Sequence, residues 1–378
     1  MNSEIQQYKS YFISFFLLIT VCLQAQIPDG YYKTAEGKNK AGLKTALYNI
    51  IKEHHQLEYS SLSTYFRTSD WHPATAGYPS GYFWDMYSNN KRTEWYGMNR
   101  EHSLPKSWFG IASGQENSAP IGSDLHNLYP SDQDANSHKS NYSLGEVDVN
   151  DASAFSNGVV KVGKNALTFI ETSTHNKLTY GGIVFEPADE YKGDFARDYM
   201  YMVTCYENAT WQSTGTTSML IGGTYPVFNA WGDSLILKWH RHDPVSTKEI
   251  NRNNAVYSLQ KNRNPFIDHP ELVEFIWGKY RDEVWIENAP LPEEQIAFQI
   301  KSNPVKDILT VKLNKPSQST YFIKTLDGIA LKTGKFTVDG TALTEGTVIV
   351  SSLKNGMYLL EVYSGTKKRY VAKFLVYH

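Results

Sequence analysis

The chain has 378 residues, of which 41% are hydrophobic, 14% aromatic and 20% charged, with a formal net charge of −2. Such a supply of apolar side chains excludes a disordered or collagen-like chain, and the near-neutral balance means that any polyanion must be met by a local cluster of cations. Two cysteines exclude a disulfide scaffold and any CxxC metal site.

In chain order, Lys9 precedes an apolar run from Tyr11 to Val21, which leads through Ala25-Gln26 into the polar Ile27-Pro28-Asp29-Gly30. The run is shorter than the ~20 residues that span a bilayer, so residues 1–26 are expected to be a cleaved secretory signal. Val21, too large for the usual position before an acylated cysteine, argues against lipidation at Cys22. No transmembrane segment is expected in the mature chain, and Cys205 is expected to be a buried, inert thiol.

Leu43, Leu47, Ile50 and Ile51 fall at helical spacing, as do Phe195, Tyr199, Met202, Val203 and Tyr206. Ser246-Thr247-Lys248-Glu249 has the form of a capping box opening a helix to about Leu259. Asp268-His269-Pro270 opens another that carries Leu272, Phe275 and Ile276. Residues 60–145 are rich in Gly, Asn, Ser and Tyr, with no long helix, and loop-rich middles commonly hold sites.

All nine tryptophans lie at or before Trp285, and Glu287–Glu294, with Pro290 and Pro292, reads as a linker. After it, β-rich runs at Ile308–Leu313, Tyr321–Leu326, Thr347–Val350, Met357–Tyr363 and Tyr370–Val376 predict a small β-sandwich. The expected organisation is a signal peptide (1–26), an α+β domain bearing the site (27–286), a linker (287–294) and a C-terminal all-β sandwich (295–378).

The chemistry concentrates in Asn99-Arg100-Glu101-His102 and in Ser123–Pro130 continuing to Ala135–Tyr142. On a strand, neighbouring Glu101 and His102 point to opposite faces, so one can hold a metal while the other acts beside it. A carboxylate with an amide oxygen is a hard, oxygen-only donor set suited to Mg²⁺. A neutral imidazole nearby can deprotonate water for phosphodiester hydrolysis.

Arg100-Glu101-His102 with Pro105, Asp124-Leu125-His126-Asn127-Leu128-x-Pro130 and Asn136-x-x-Lys139-x-Asn141 together resemble the bacterial endonuclease I family. Gly30-Tyr31-Tyr32, Lys192–Arg197 and Asn262–Pro270 extend the resemblance. It implies a ββα-metal (His-Me finger) nuclease core within a mainly helical, loop-rich domain. It further implies that Glu101 and Asn136 are metal ligands, that His102 is the general base, and that 5′-phosphates are left. The ion implied is Mg²⁺, with Mn²⁺ or Ca²⁺ as substitutes.

Two departures stand out. Lys139 occupies a position where the family commonly has arginine, so a bidentate phosphate fork becomes a point charge. The stretch between His102 and Asp124 contains no Arg and no Cys, so the family's inserted, cysteine-bridged arginine is missing; Arg100, Arg241 and Arg92 are open candidates for its role.

Asp124, His126, Asn127 and Asn141 are expected to orient the ligands, with fold-stabilising turn contacts as the alternative. His240-Arg241-His242 reads as a surface or DNA-facing strand. His54-His55 sits at a helix C-terminus, where the dipole favours a cation. Lys238–Arg263 is rich in cations and poor in acids, which nominates Arg252 and Arg263, with Arg100 and Lys139, as phosphate contacts; a solvated helix face is the alternative.

Asn303-Pro304-Val305-x-Asp307-x-Leu309, Gly356-Met357-Tyr358-Leu359 and Lys373-Phe374 are similar to the C-terminal sorting domain of type IX secretion substrates. The resemblance implies export to the medium or the cell surface and the secretion machinery as a partner. The whole reads as a monomeric, secreted, metal-dependent endonuclease of low sequence specificity acting on DNA, with RNA as a further substrate. The alternatives are an extracellular ribonuclease on the same scaffold and an inactive surface-binding module.

Overall fold

The computed structural model describes residues 27–378 apart from 172–174, 213–218, 293–298, 313–318, 339–344 and 365–367. The expected signal peptide, part of the expected linker and Leu313 lie outside the described residues. Two compact units divide between Leu291 and Pro292.

The first unit is α+β. Its helices are α1 (Lys40–Ile51), α2 (Leu62–Ser69), α3 (Gln133–Lys139), α4 (Lys192–Cys205), α5 (Ala230–His242), α6 (Thr247–Gln260), α7 (Pro265–Asp268) and α8 (Leu272–Ile276). α1 buries Leu43, Leu47 and Ile51, the stripe its spacing predicts. α4 runs through the core and is buried from Gly193 to Cys205. Burying a charge is costly unless it is paired, and two of the charges on α4 pair with α6: Asp194 meets Lys248 at 2.8 Å, and Arg197 makes a two-pronged bond to Glu249 at 2.5 and 2.9 Å. Glu249 also closes the capping box, since its side chain accepts from Ser246 N while Ser246 Oγ accepts from Glu249 N.

Two short strands, β1 (Met98–His102) and β2 (Leu128–Asp132), pair antiparallel with Glu101 opposite Tyr129 and His102 opposite Leu128. α3 follows β2 without a break because Asp132 caps it, its carboxylate accepting from Asp134 N and Ala135 N. This is the expected ββα unit. Beside it, strands β3 (Ser143–Leu144), β4 (Phe155–Ser156), β5 (Lys161–Lys164) and β6 (Ile183–Glu186) form a sheet of order β3-β6-β5-β4.

The second unit is the expected all-β module. Strands β7 (Gln299–Ile300), β8 (Ile308–Lys312), β9 (Ser319–Lys324), β10 (Ala330–Lys335), β11 (Thr337–Val338), β12 (Glu345–Ile349), β13 (Gly356–Ser364) and β14 (Lys368–Val376) form two four-stranded sheets. The sheet orders are β7-β8-β12-β11 and β10-β9-β13-β14. Alternate residues such as Leu309, Val311, Tyr321, Ile323, Leu360 and Val362 supply its core, as the period-two pattern requires.

Two local expectations are corrected. His240-Arg241-His242 ends helix α5 instead of forming a strand. His240 is buried against Arg197, Arg241 is bound by Glu274, and His242 Nδ1 lies 2.7 Å from Lys238 O. His54 is more than a dipole-favoured cation: its side chain is buried 3.7 Å from Asp124, within reach of the Tyr206 hydroxyl.

Candidate active site

Glu101 and His102 line one cleft of about 470 Å³ together with Asn99, Arg100, Lys106, Asn136 and Asn141. Strand alternation would separate the first two, but His102 is the last residue of β1, where the chain leaves the pleat, so both reach the same space. Both are buried.

The Glu101 carboxylate meets Lys139 Nζ at 2.7 Å, and the same ammonium donates to His102 O at 3.0 Å. Burial pushes the Glu101 carboxyl up, and the Lys139 charge opposes it. Lys139 is fully buried, so it is not the solvent-facing phosphate contact expected of it; it ties α3 to the strand carrying the Glu-His pair. One turn earlier on α3, Asn136 is half-buried, and its carboxamide makes no protein hydrogen bond among the described residues.

His102 Nε2 lies 3.0 Å from the carbonyl oxygen of Gly122, so the proton belongs on Nε2 and the Nδ1 lone pair is free for chemistry. Gly122 is required there: a Cβ would stand 2.2 Å from Glu116 O. Tyr59 stacks on the imidazole at 6.0 Å and 16°, and Phe109 flanks it at 6.1 Å. Burial pulls the His102 pKa down to about 4, assisted by Lys106 and Lys139. The ring is therefore neutral, as a base must be, at ordinary pH.

Of the three arginines left open by the sequence, only Arg100 lines the cleft, its guanidinium 4.8 Å from the Tyr59 ring. Arg92 is held by Asp132 at 2.7 Å and Arg241 by Glu274. Lys106 adds a second cation to the cleft wall, tied to Glu116.

Asn127 makes turn contacts, the alternative to an orienting role, and does not line the cleft. Its side chain donates to Leu104 O and accepts from Leu104 N, and its own carbonyl accepts from Ser103 N, pinning the turn that leaves His102. Asn141 lines the cleft, and its backbone carbonyl accepts from Trp108 Nε1 at 3.2 Å.

Asp124 and His126 do not line the cleft. Both oxygens of Asp124 are used internally, Oδ1 by His126 N and Gln260 Nε2 and Oδ2 by Tyr201 and Tyr206. His54, Asp124 and Cys205 place three ligand-type atoms within 4.8 Å of one another. The four bonds to Asp124, and the bond from Cys205 Sγ to Ile51 O, already satisfy that group from within the protein.

The expected cationic patch is also corrected. Arg252 is buried, with Nε 2.7 Å from Asp70 and Nη2 bonded to Leu125 O and Leu128 O. Arg263 is buried in a bidentate pair with Asp268. The local count missed acids that arrive from distant sequence. Sequence reasoning also missed Tyr59, Lys106 and Gly122; a lone Tyr, Lys or Gly carries no spacing signal.

Among the described residues, no helix is long and apolar enough to cross a membrane. Residues 40–271 match the Endonuclease I family, and residues 302–377 match the secretion system C-terminal sorting domain. The chain is 34% identical over 262 residues to an extracellular ribonuclease of Bacillus amyloliquefaciens, covering 66% of this chain and 78% of that protein. It is 32% identical to an extracellular ribonuclease of Bacillus subtilis (strain 168), with the same coverage.

Proposed function

The chain belongs to the Endonuclease I family and is a phosphodiester hydrolase with a C-terminal sorting domain of the type IX secretion kind; from that premise we propose that it is an extracellular, Mg²⁺-dependent ribonuclease. Both matched relatives bear the name extracellular ribonuclease, which favours RNA over the DNA substrate that the sequence motifs put first. The tail supports an extracellular or surface location.

The residues of the cleft fit a hard divalent ion. Glu101 Oε1 is bonded to Lys139, leaving Oε2 open, and the Asn136 carboxamide is unpartnered among the described residues. Carboxylate and amide oxygens with room for water and phosphate suit Mg²⁺. Bound there, the ion would neutralise the phosphate and stabilise charge on the leaving oxygen.

The chain's own groups do the rest. His102 Nδ1 takes the proton of an attacking water as its oxygen bonds to phosphorus; the P–O3′ bond breaks, the leaving O3′ takes a proton from solvent water, and a 5′-phosphate and a 3′-hydroxyl are left. Gly122 holds the ring in the basic tautomer, and Arg100 steadies a non-bridging oxygen. Contact with backbone phosphate alone carries no base information, hence low sequence specificity. The His102–Gly122 bond is the observation that carries this reading. The test is cleavage of single-stranded RNA and of duplex DNA by the full chain, with Mg²⁺ and with EDTA. Faster, metal-dependent cleavage of RNA supports it, and faster cleavage of DNA restores the alternative.

A further inference from the structure

A groove of about 270 Å³ lies apart from the cleft lining and is walled by His72, Tyr82, Trp84, Asn89, Lys91 and Tyr191. A short antiparallel pair joined by the loop 73–81 builds it, matching Trp71 with Phe83 and His72 with Tyr82. The His72 ring lies parallel to Tyr82 at 4.4 Å and 9°, and 4.7 Å from Trp84. His72 and Trp84 are only half-buried. Trp84 Nε1 donates to Tyr191 Oη at 3.1 Å, which fixes the indole. The exposed Lys91 ammonium stands 5.3 Å from the Tyr82 ring and 5.6 Å from Tyr78.

The floor of the groove is tied to the helix of the cleft. Asp85 accepts from Asp132 N at 2.9 Å, and Asn90 Nδ2 donates to Asp132 Oδ2 at 2.8 Å. Asp132 is the N-cap of α3, and Asn136 stands four positions further along that helix, a rise of about 6 Å. The groove and the helix that carries Asn136 are thus joined through one residue, Asp132.

We propose that this groove is a subsite for one unpaired nucleobase of the substrate strand, with Lys91 meeting the adjoining phosphate; the inference rests on the nuclease reading above. Planar aromatic walls beside a cation are the chemistry by which proteins hold single-stranded nucleic acid, because every base has a π-face. The Asn89 amide and the Glu190 carboxylate on the rim offer hydrogen-bond partners to a base edge. Duplex DNA, with its bases stacked inside, cannot use such a groove.

The test uses the full chain, as wild type, His72→Ala and Lys91→Gln, with thermal melting to show that each is folded. Binding of a labelled single-stranded oligoribonucleotide is read by anisotropy in EDTA, alongside strands carrying one abasic residue at successive positions. Cleavage of the same strands is followed in Mg²⁺. The expected result is a five- to tenfold weaker Kd for His72→Ala, about what the loss of one stacked base produces. The wild type should lose a similar factor at one abasic position only, and the two losses should not add. Lys91→Gln should weaken binding of the intact and abasic strands alike. Cleavage with no position-dependent abasic effect, or competition for the groove by a neutral oligosaccharide instead of RNA, overturns the subsite alone. Absence of cleavage of any nucleic acid by the wild type overturns the nuclease reading itself, and the subsite with it.

Discussion

The His102 imidazole and the Gly122 carbonyl are 3.0 Å apart, and that bond sets which ring nitrogen is the base. The relation is enforced from behind, because Gly122 packs against the Glu116 carbonyl with no room for a Cβ. Gly122→Ala should therefore displace the loop and slow turnover without touching a ligand, and normal kcat with altered substrate affinity would contradict this. His102→Ala should lose on the order of 10²–10⁴ in kcat while still binding Mn²⁺ by titration calorimetry.

Removing a donor oxygen should act on the ion instead. Asn136→Ala should raise the Mg²⁺ concentration needed for half-maximal activity, with kcat at saturating metal less affected than in His102→Ala. Equal metal dependence in Asn136→Ala and wild type would remove Asn136 from the ligand set.

Lys139 separates a structural from a substrate role. Breaking a buried pair leaves an uncompensated charge, so Lys139→Met should cost about 3–5 kcal/mol in urea unfolding, and Lys139→Arg much less. The salt slope of RNA binding should be unchanged in Lys139→Met under conditions where that variant is folded. A slope shallower by about one would mean that Lys139 does meet phosphate.

Arg252→Met and Arg263→Met should likewise lower the melting temperature, since each deserts a buried aspartate. Arg100→Ala should do the reverse: little change in melting, and a salt slope reduced by about one. A flattened slope for Arg252 or Arg263 in a fully folded variant would reinstate the basic patch.

Stability should fall in acid. Burial pulls His240 down to about 4 and His126 to about 3, from an ordinary 6.5. The folded state thus binds fewer protons than the unfolded chain below pH 6.5, so stability is full above that pH and is lost as pH falls toward the folded values. His240 alone contributes up to ~3 kcal/mol over that window. His240→Gln should flatten the drop in urea midpoint between pH 6.5 and 4; an unchanged drop assigns it to other groups.

Period and capping made much of the fold legible. The stripe of α1, the box at Ser246–Glu249 and the alternating strands of the tail are local signals, and local physics decides them. The ββα unit itself came through resemblance of separated motifs, and Glu101, His102 and Asn136 do meet in one cleft. Long-range pairing was not legible. Nothing near Arg252 announces Asp70, nothing near Lys139 announces that it points inward at Glu101, and His240 lies in the last turn of a helix whose start at Asn229 is marked only by a cap. Spacing shows which residues share a face, and it does not show what covers that face.

The most direct test of the central claim is single-turnover cleavage of a 5′-labelled single-stranded RNA by wild type and His102→Ala, each with Mg²⁺ and with EDTA. Cleavage is expected from the wild type in Mg²⁺ only, with a rate at least about a hundredfold lower in His102→Ala. Full activity in His102→Ala, or cleavage by the wild type in EDTA, would contradict it.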